Sequence, residues 1–479
     1  MRARIAASLF APENRKWWTL LAVSFGLFMI MLDNTVVNVA LPSIQRALDA
    51  GQSELEWIVV SYALTFATFM LTGGKLADFF GRRRLFIIGL AIFTLASLAC
   101  GLAPNAGFLI GARAVQGLGA AIMNPATLGI ITATFPPRQR GMAIGIWAGV
   151  SAMALAIGPL LGGIITDHID WSWIFFVNVP VGILGIVVAR WAIDESRDTS
   201  REQRLDLPGL ATSAVGLFAL TYALIEANSY GWTSARILGL FAVAAIALAA
   251  FVLLERHQRV PMLDLALFRD STFTGANLTM LLVSLAMFGI FFFNSLFLQN
   301  VLGYSATQTG AVFLPMTLLI ILVAPWAGRY SDKVGSRWLV GAGMTLVSLC
   351  LVLFAQLDVG STFWDIVPGL VTGGLGMALV MTPTTAAAMG AVAVDKAGVG
   401  SAVLNSSRQV GGSLGIAVMG AIVASQVDPT APLALRAEQF IDGYHIALYV
   451  AAVIALCGAA VAVLTVRKHR HVELAEVAA

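Results

Sequence analysis

Long apolar runs constrain this chain more than any other feature. A helix crossing the hydrocarbon of a bilayer needs about 20 apolar residues, because lipid offers no partner to an open backbone. Runs of that kind fall at 17–41, 57–77, 85–103, 107–134, 141–165, 174–193, 208–227, 236–254, 273–299, 308–328, 338–357, 365–388, 400–425 and 444–466. Packing so many into a water-soluble body fails on composition. Only 11% of the 479 residues are charged and mean hydropathy is +0.85, against roughly 25% charged in soluble domains. The chain is therefore expected to be an all-α integral membrane protein with fourteen spans. A soluble enzyme and a disordered protein are excluded, and a net charge of +3 gives nucleic acid no purchase. The first run is too long for a cleaved signal, so it counts as a span. The three cysteines, Cys100, Cys350 and Cys457, lie in apolar runs without pairing or metal-ligand spacing and are expected to be buried packing residues.

An even number of spans puts both termini on one side, and the basic residues say which. Connections on the side of the termini hold 24 of the 29 Lys and Arg, among them Arg2, Arg4, Arg82–Arg84, Arg201, Arg204, Arg259, Lys396, Lys468 and Arg470. The opposite side holds only Arg46, Arg236 and Arg436, while Arg113 and Arg408 fall inside spans. The positive-inside bias makes both termini cytoplasmic. Tryptophans agree: Trp57, Trp171, Trp173, Trp232 and Trp364 mark one boundary and Trp17, Trp18, Trp191, Trp326 and Trp338 the other. Trp147 alone lies well inside a span, facing either lipid and neighbours or a cavity.

An internal repeat organises the spans. Gly74-Lys75-Leu76-Ala77-Asp78-Phe79-Phe80-Gly81-Arg82-Arg83 ends the second run, and Gly328-Arg329-Tyr330-Ser331-Asp332-Lys333-Val334-Gly335-Ser336-Arg337 ends the tenth. Glycine, base, Asp, Gly and Arg recur at matching offsets. Gly117 and Gly119, followed by Pro125, are echoed by Gly374 and Gly376, followed by Pro383. The offset is eight spans, where two equal halves of fourteen would give seven. Two six-span halves with two spans inserted between them account for it. The expected divisions are 1–193 (first six-helix bundle), 194–254 (two inserted helices), 255–272 (cytoplasmic linker), 273–466 (second bundle) and 467–479 (cytoplasmic tail).

With these motifs the chain resembles the fourteen-span drug:proton antiporters of the major facilitator superfamily, of EmrB/QacA type, over essentially its whole length. Gly74–Arg84 resembles the signature between helices two and three, and Leu32-Asp33-Asn34-Thr35-Val36-Val37-Asn38-Val39-Ala40-Leu41-Pro42 the first-helix motif. Gly111-Ala112-Arg113-Ala114-Val115-Gln116-Gly117 resembles the fourth-helix motif with its buried Arg, and Gly149 through Gly163 the antiporter motif of helix five. The resemblance implies the major facilitator fold and a cytoplasmic latch built from Gly74, Asp78, Gly81, Arg82, Arg83 and Arg84. It also implies that Gly149, Gly158, Pro159, Gly162 and Gly163 limit leak through the empty carrier.

At 1.5 Å per residue, Asp33 and Arg113 fall at similar depth in the outer half. Burial and a neighbouring guanidinium act on the protonation of such a carboxylate in opposite senses, so it suits proton coupling; a static ion pair pinning two helices is the alternative. Glu226 is either a second proton or cation site or an interfacial residue, and Arg408 has no evident acid at its depth. Asp78 can cap a neighbouring helix or bind an Arg. Gly145 and Gly149, like Gly158 and Gly162, have spacings that permit close packing, and Pro159 can bend its helix. Candidate cavity residues are Asn34, Asn38, Gln116, Asn124, Trp147, Phe293, Asn294 and Phe297.

The expected function is proton-coupled efflux of lipophilic, cationic drugs, with a dedicated exporter of one metabolite, antibiotic, siderophore or lipid as the alternative. No Walker-A loop is present, and His168, His257, His445, His469 and His471 do not cluster as metal ligands. The expectation is a transporter without metal or cofactor, driven by the proton gradient. It would act as a monomer on amphiphilic small molecules in the cytoplasmic membrane, with no nucleic acid; a periplasmic adaptor's docking site is not visible in the short outer loops.

Overall fold

Apolar segments joined by short turns can satisfy their backbone in lipid only as helices, and that is how the chain folds. A computed structural model describes residues 14–197, 206–258, 261, 263–392, 397–428 and 432–467. The helices are α1 (Arg15–Leu48), α2 (Gln52–Phe80), α3 (Arg82–Gly101), α4 (Ala106–Thr134) and α5 (Pro137–His168). A broken α6 (Trp173–Phe176, Asn178–Ala192), α7 (Leu207–Tyr230), α8 (Ala235–His257) and α9 (Ser271–Leu296) follow. The remainder are a broken α10 (Ala306–Val312, Leu314–Val334), α11 (Ser336–Phe354), α12 (Phe363–Gly390), α13 (Ala397–Gln426) and α14 (Leu433–Thr465). Thirteen are long and apolar enough to cross a membrane. The other, α5, has 32 residues, several of whose side chains lie outside the described set. The chain is a multi-pass, all-helical membrane protein.

The sequence repeat returns as a repeat in space. In α4, Gly117 meets the backbone of Tyr62 on α2, and Gly119 meets Phe93 and Gly89 on α3. In α12, Gly374 meets Met316 on α10, and Gly376 meets Gly343 and Val347 on α11. Each glycine pair thus brings one helix against the two equivalent neighbours of its own set. The turns match as well: Gly81 and Gly335 have φ of +108° and +93°, a left-handed conformation that disfavours any side chain.

Between the two sets, α7 and α8 pack on each other, and α7 also touches α2 and α13. Most of α8 presents exposed apolar residues such as Leu238, Val243, Ile246 and Leu253, as a lipid-facing helix does. Cys100 and Cys350 are buried as expected, but Cys457 is exposed. Hydropathy does not distinguish a helix face turned to lipid from one turned to protein, which is why the three looked alike in sequence. Arg2, Arg4, Arg201, Arg204, Arg259, Lys396, Lys468, Arg470, His469, His471, the tail beyond Arg467 and the side chain of Asp332 lie outside the described residues.

Close approach at Gly376 sets up a stability test. A Cβ there would lie 2.8 Å from the Gly343 carbonyl oxygen, whereas nothing lies within 4 Å of one at Gly239. Gly376→Val is expected to destabilise the protein by about 1–3 kcal/mol, the usual cost of overpacking, and Gly239→Ala to leave it unchanged. Thermal unfolding followed by fluorescence-detected size exclusion checks both.

Candidate functional site

Asp33 and Arg113 are two charges placed by apolar helices where water cannot reach, so their partners must come from the protein. Asp33 is 0% and Arg113 1% exposed, and Arg113 Nη1 donates to Asp33 Oδ2 at 2.5 Å. The second carboxylate oxygen accepts from Gln116 Nε2 at 3.0 Å, and Gln116 Oε1 accepts from the same Arg113 Nη1 at 2.7 Å. Arg113 Nε donates to the Ile58 carbonyl at 3.1 Å, and its guanidinium lies 4.3 Å from the centre of the Tyr62 ring. Gln116 is in turn held by Ser97 Oγ at 2.7 Å, which also accepts from Asn178. One network thus joins α1, α2, α3, α4 and α6. The spacing of Arg113 and Gln116, three residues apart on one helix face, lets both reach the same carboxylate.

Ser97, Tyr62 and Asn178 were missed in the sequence, although each is a polar group set in an apolar run. Gln116 belongs to this network and is fully buried. Phe293 and Phe297 are also 0% exposed, Phe297 stacks on Tyr444, and Asn294 accepts from the Tyr444 hydroxyl. These four expected cavity residues are therefore packed inside and line no open space in this arrangement. Depth along a helix was readable from the sequence; direction around it was not. Asn34 and Asn38 are half-buried and donate to their own helix, at Ile30 and Asn34 carbonyls, and Trp147 Nε1 is buried without a partner among the described residues. Asn124 is 9% exposed within α4.

The glycines of α5 divide into two groups. Gly158 and Gly162 press against Thr35 and Val36 of α1, and Gly163 against Ala306 of α10. The Pro159 carbonyl meets Gly310 of α10. By contrast, Gly145 and Gly149 have nothing among the described residues within 4 Å of where a Cβ would stand. The expectation of close packing at those two is corrected, since spacing marks a stripe of small residues but not whether a neighbour covers it.

Apart from Lys75, the motif at the α2–α3 turn closes within its own half. Asp78 pairs with Arg82 at 2.8 Å, and Arg82 also reaches the Gly129 carbonyl of α4 at 3.4 Å. Asp78 caps no helix. The cap on α3 is Glu195, whose carboxylate accepts from the backbone N–H of Arg83 at 3.0 Å and Arg84 at 3.2 Å. Arg83 also donates to the Ile193 carbonyl, and Gly74 lies against Pro125. Lys75 reaches the Pro261 carbonyl at 2.5 Å. Glu195 is 112 residues from Arg83 in sequence, and nothing local marked it.

Hydrogen bonds between the two six-helix sets sit at the other end of the bundle and near its middle. Asp167, at the end of α5, accepts from the Ala306 and Thr307 backbone at the start of α10, at 3.1 and 2.6 Å. Gln299 donates to the Val39 carbonyl at 2.8 Å. At the same end Glu226 of α7 accepts from Ser53 Oγ at 2.6 Å and Trp57 Nε1 at 3.2 Å. Asn228 donates to the Ala421 carbonyl of α13 at 2.6 Å. Glu56, 2% exposed, bonds Gln52 and abuts Gly420 of α13. It was missed because the second apolar run starts at Trp57, whereas the helix starts at Gln52.

Comparison with known proteins fits this architecture. Residues 23–416 and 276–478 match the Major Facilitator Superfamily. The multidrug resistance protein Stp of Mycobacterium tuberculosis is 40% identical over 413 residues, spanning 86% of this chain and 76% of that protein. The tetracenomycin C resistance and export protein of Streptomyces glaucescens is 37% identical over 88% of this chain and 78% of its own length. The puromycin resistance protein pur8 of Streptomyces alboniger is 36% identical over 92% and 90%. Among solved structures, a bacterial homolog to human lysosomal transporter Spinster, inward-facing and unoccupied, superposes with a TM-score of 0.67 at 18% identity, covering 95% of this chain and 98% of that one. The duplicated six-helix sets and these matches together show that the chain belongs to the major facilitator superfamily and is a transporter rather than an enzyme.

Proposed function

We propose that this protein exports lipophilic aromatic compounds across the cytoplasmic membrane in exchange for protons, with both termini on the cytoplasmic side. The observation that carries the proposal is the fully buried Asp33–Arg113–Gln116 network. A carboxylate at that depth, held by one guanidinium and one amide, has a stable alternative state in which a proton replaces the ion pair. The names of the relatives, resistance and export proteins, support the efflux direction. With the basic side taken as cytoplasmic, the ties through Asp167 and Gln299 close the outer end, and the arrangement reads as inward-facing.

A contiguous set of contacts links the acid to those ties. Protonating Asp33 removes the Coulombic hold of Arg113 on α1. Two and three residues further along α1, Thr35 and Val36 carry Gly158 and Gly162 of α5, and Pro159 and Gly163 meet Gly310 and Ala306 of α10. A shift of α1 therefore reaches the outer closure through packed backbone with no slack to absorb it. The α2–α3 motif acts as the latch in the opposite, outward-facing state, and its bonds within one half in the present state leave it free to do so. The expected cation preference rested on a substrate cation competing with the proton for Asp33, which Arg113 pairs in this arrangement. A single dedicated substrate is the second reading, favoured because two of these relatives are named for single antibiotics.

Three outcomes are expected. Asp33→Asn, which leaves Arg113 without its counter-charge, should still insert and purify, at lower thermal stability than wild type, yet lose proton-driven efflux in vesicles by at least about tenfold, a loss of roughly 1.4 kcal/mol or more; unchanged efflux removes the acid from the mechanism. Asp78→Asn should slow turnover about fivefold while substrate affinity stays within about twofold, measured by binding and flux on one preparation. Glu226→Gln retains an oxygen acceptor for Ser53 and Trp57, so its flux should stay within about twofold, whereas Glu226→Ala should lower stability by about 1–3 kcal/mol, as thermal unfolding will read.

A further inference from the structure

Arg408 takes no part in the contacts that link Asp33 to the outer closure. It stands near the middle of α13, eleven residues from Ala397, at a depth of about 16 Å by helical rise. Its side chain crosses toward the other six-helix set, where Nη2 lies 3.7 Å from Met31 Sδ on α1, two residues from Asp33. A thioether is a weak acceptor and does not compensate a guanidinium. None of the ion pairs among the described residues includes Arg408, and Asp33, two residues from Met31 on α1, is occupied by Arg113 and Gln116. Arg408 is only half-buried, and its guanidinium lies where the two sets meet, against Met31.

A second polar group lies nearby. Tyr62, 1% exposed, lies within electrostatic range of Arg408 and beside the Asn34 side chain. Its hydroxyl has no hydrogen-bond partner of ordinary geometry among the described residues. Its ring is covered by Arg113, and the hydroxyl is a buried donor left without a partner among the described residues. One turn along α13 from Arg408, Gly412 lies against the Phe288 ring of α9. The surroundings therefore combine one uncompensated guanidinium, one orphaned hydroxyl donor and aromatic surface, with no free carboxylate beside them among the described residues.

Resting on the export reading above, we propose that Arg408 and the Tyr62 hydroxyl together bind the oxyanion edge, carboxylate or phenolate, of an aromatic substrate, so that this carrier prefers aromatic anions to cations. A guanidinium and a phenol both donate, so an oxyanion satisfies the two at once. A cation satisfies neither and is repelled by the guanidinium. Export of an anion against entry of a proton moves positive charge inward on both legs, so an inside-negative potential speeds the exchange.

The test uses two xanthene dyes of similar size and opposite charge, fluorescein and rhodamine 123, with the full-length protein in nanodiscs of phosphatidylcholine, where no anionic lipid competes. Binding is read by fluorescence anisotropy for wild type, Arg408→Gln, Arg408→Lys and Tyr62→Phe, each first checked for a wild-type elution profile. Wild type should bind fluorescein more tightly than rhodamine. Arg408→Gln should weaken fluorescein about tenfold or more, the size of one lost charge-assisted contact, with rhodamine unchanged or tighter. Arg408→Lys should restore part of the loss, and Tyr62→Phe should weaken fluorescein by a smaller factor. Wild-type preference for rhodamine, absence of fluorescein binding, or an equal effect of Arg408→Gln on both dyes would overturn the proposal. Flux of the same dyes with and without a proton gradient separates the two readings. Binding preference intact but flux indifferent to the gradient contradicts proton coupling alone.

Discussion

Two opposite charges buried against each other fix the arrangement of five of the first six helices. Each charge in a span costs roughly 2.5–3.5 kcal/mol on insertion scales, and removing one partner of a buried pair typically destabilises by about 3–5 kcal/mol. Asp33 and Arg113 can therefore be tolerated only where α1 and α4 meet with Gln116, Ser97 and the Ile58 carbonyl in register. Five helices are held to that register by one carboxylate and one guanidinium. The same interaction is reversible by a single proton, which a purely apolar contact is not. On the proposed reading, structural anchor and proton site are one object, and the choice between them posed by the sequence is not a choice between exclusive roles.

Rigidity around the network gives a local change its reach. Glycines at 158, 162 and 163 remove the side chains that would cushion α5 against α1 and α10. The two six-helix sets meet through such contacts and through Asp167 at the start of α10. Closely packed interfaces switch between discrete arrangements more readily than they deform. The inserted pair α7–α8 is held differently, by Glu226 and Asn228 at one end and by aromatic contacts of Trp57 with Phe218 and Tyr222.

Much of this was legible in the sequence because membranes simplify the code. Apolar runs located the helices, and counting residues along them placed Asp33 and Arg113 at one depth. Helix ends were harder, since α1 continues to Leu48 and α2 starts at Gln52, where polar residues face neighbouring protein instead of water; Glu56 was lost for that reason. Angular position was not legible. Phe293 and Phe297 are as apolar as any lipid-facing residue, and only tertiary packing turns them inward. The i,i+4 spacing of Asp78 and Arg82 was there to read as a local pair, yet the cap supplied by Glu195 comes from the far side of four helices and leaves no local trace. Arg408 was visible in the sequence as a charge without an evident acid, but not its approach to Met31 of the other six-helix set, which only the tertiary packing sets.

The central claim is that Asp33 exchanges its ion pair for a proton during the cycle. Infrared difference spectroscopy on the reconstituted protein, switching between substrate-free and substrate-bound states at constant pH, observes protonated carboxyl groups directly. The account requires a carboxyl band that changes with substrate in wild type and is absent in Asp33→Asn. A substrate-dependent carboxyl signal that survives Asp33→Asn unchanged would contradict it.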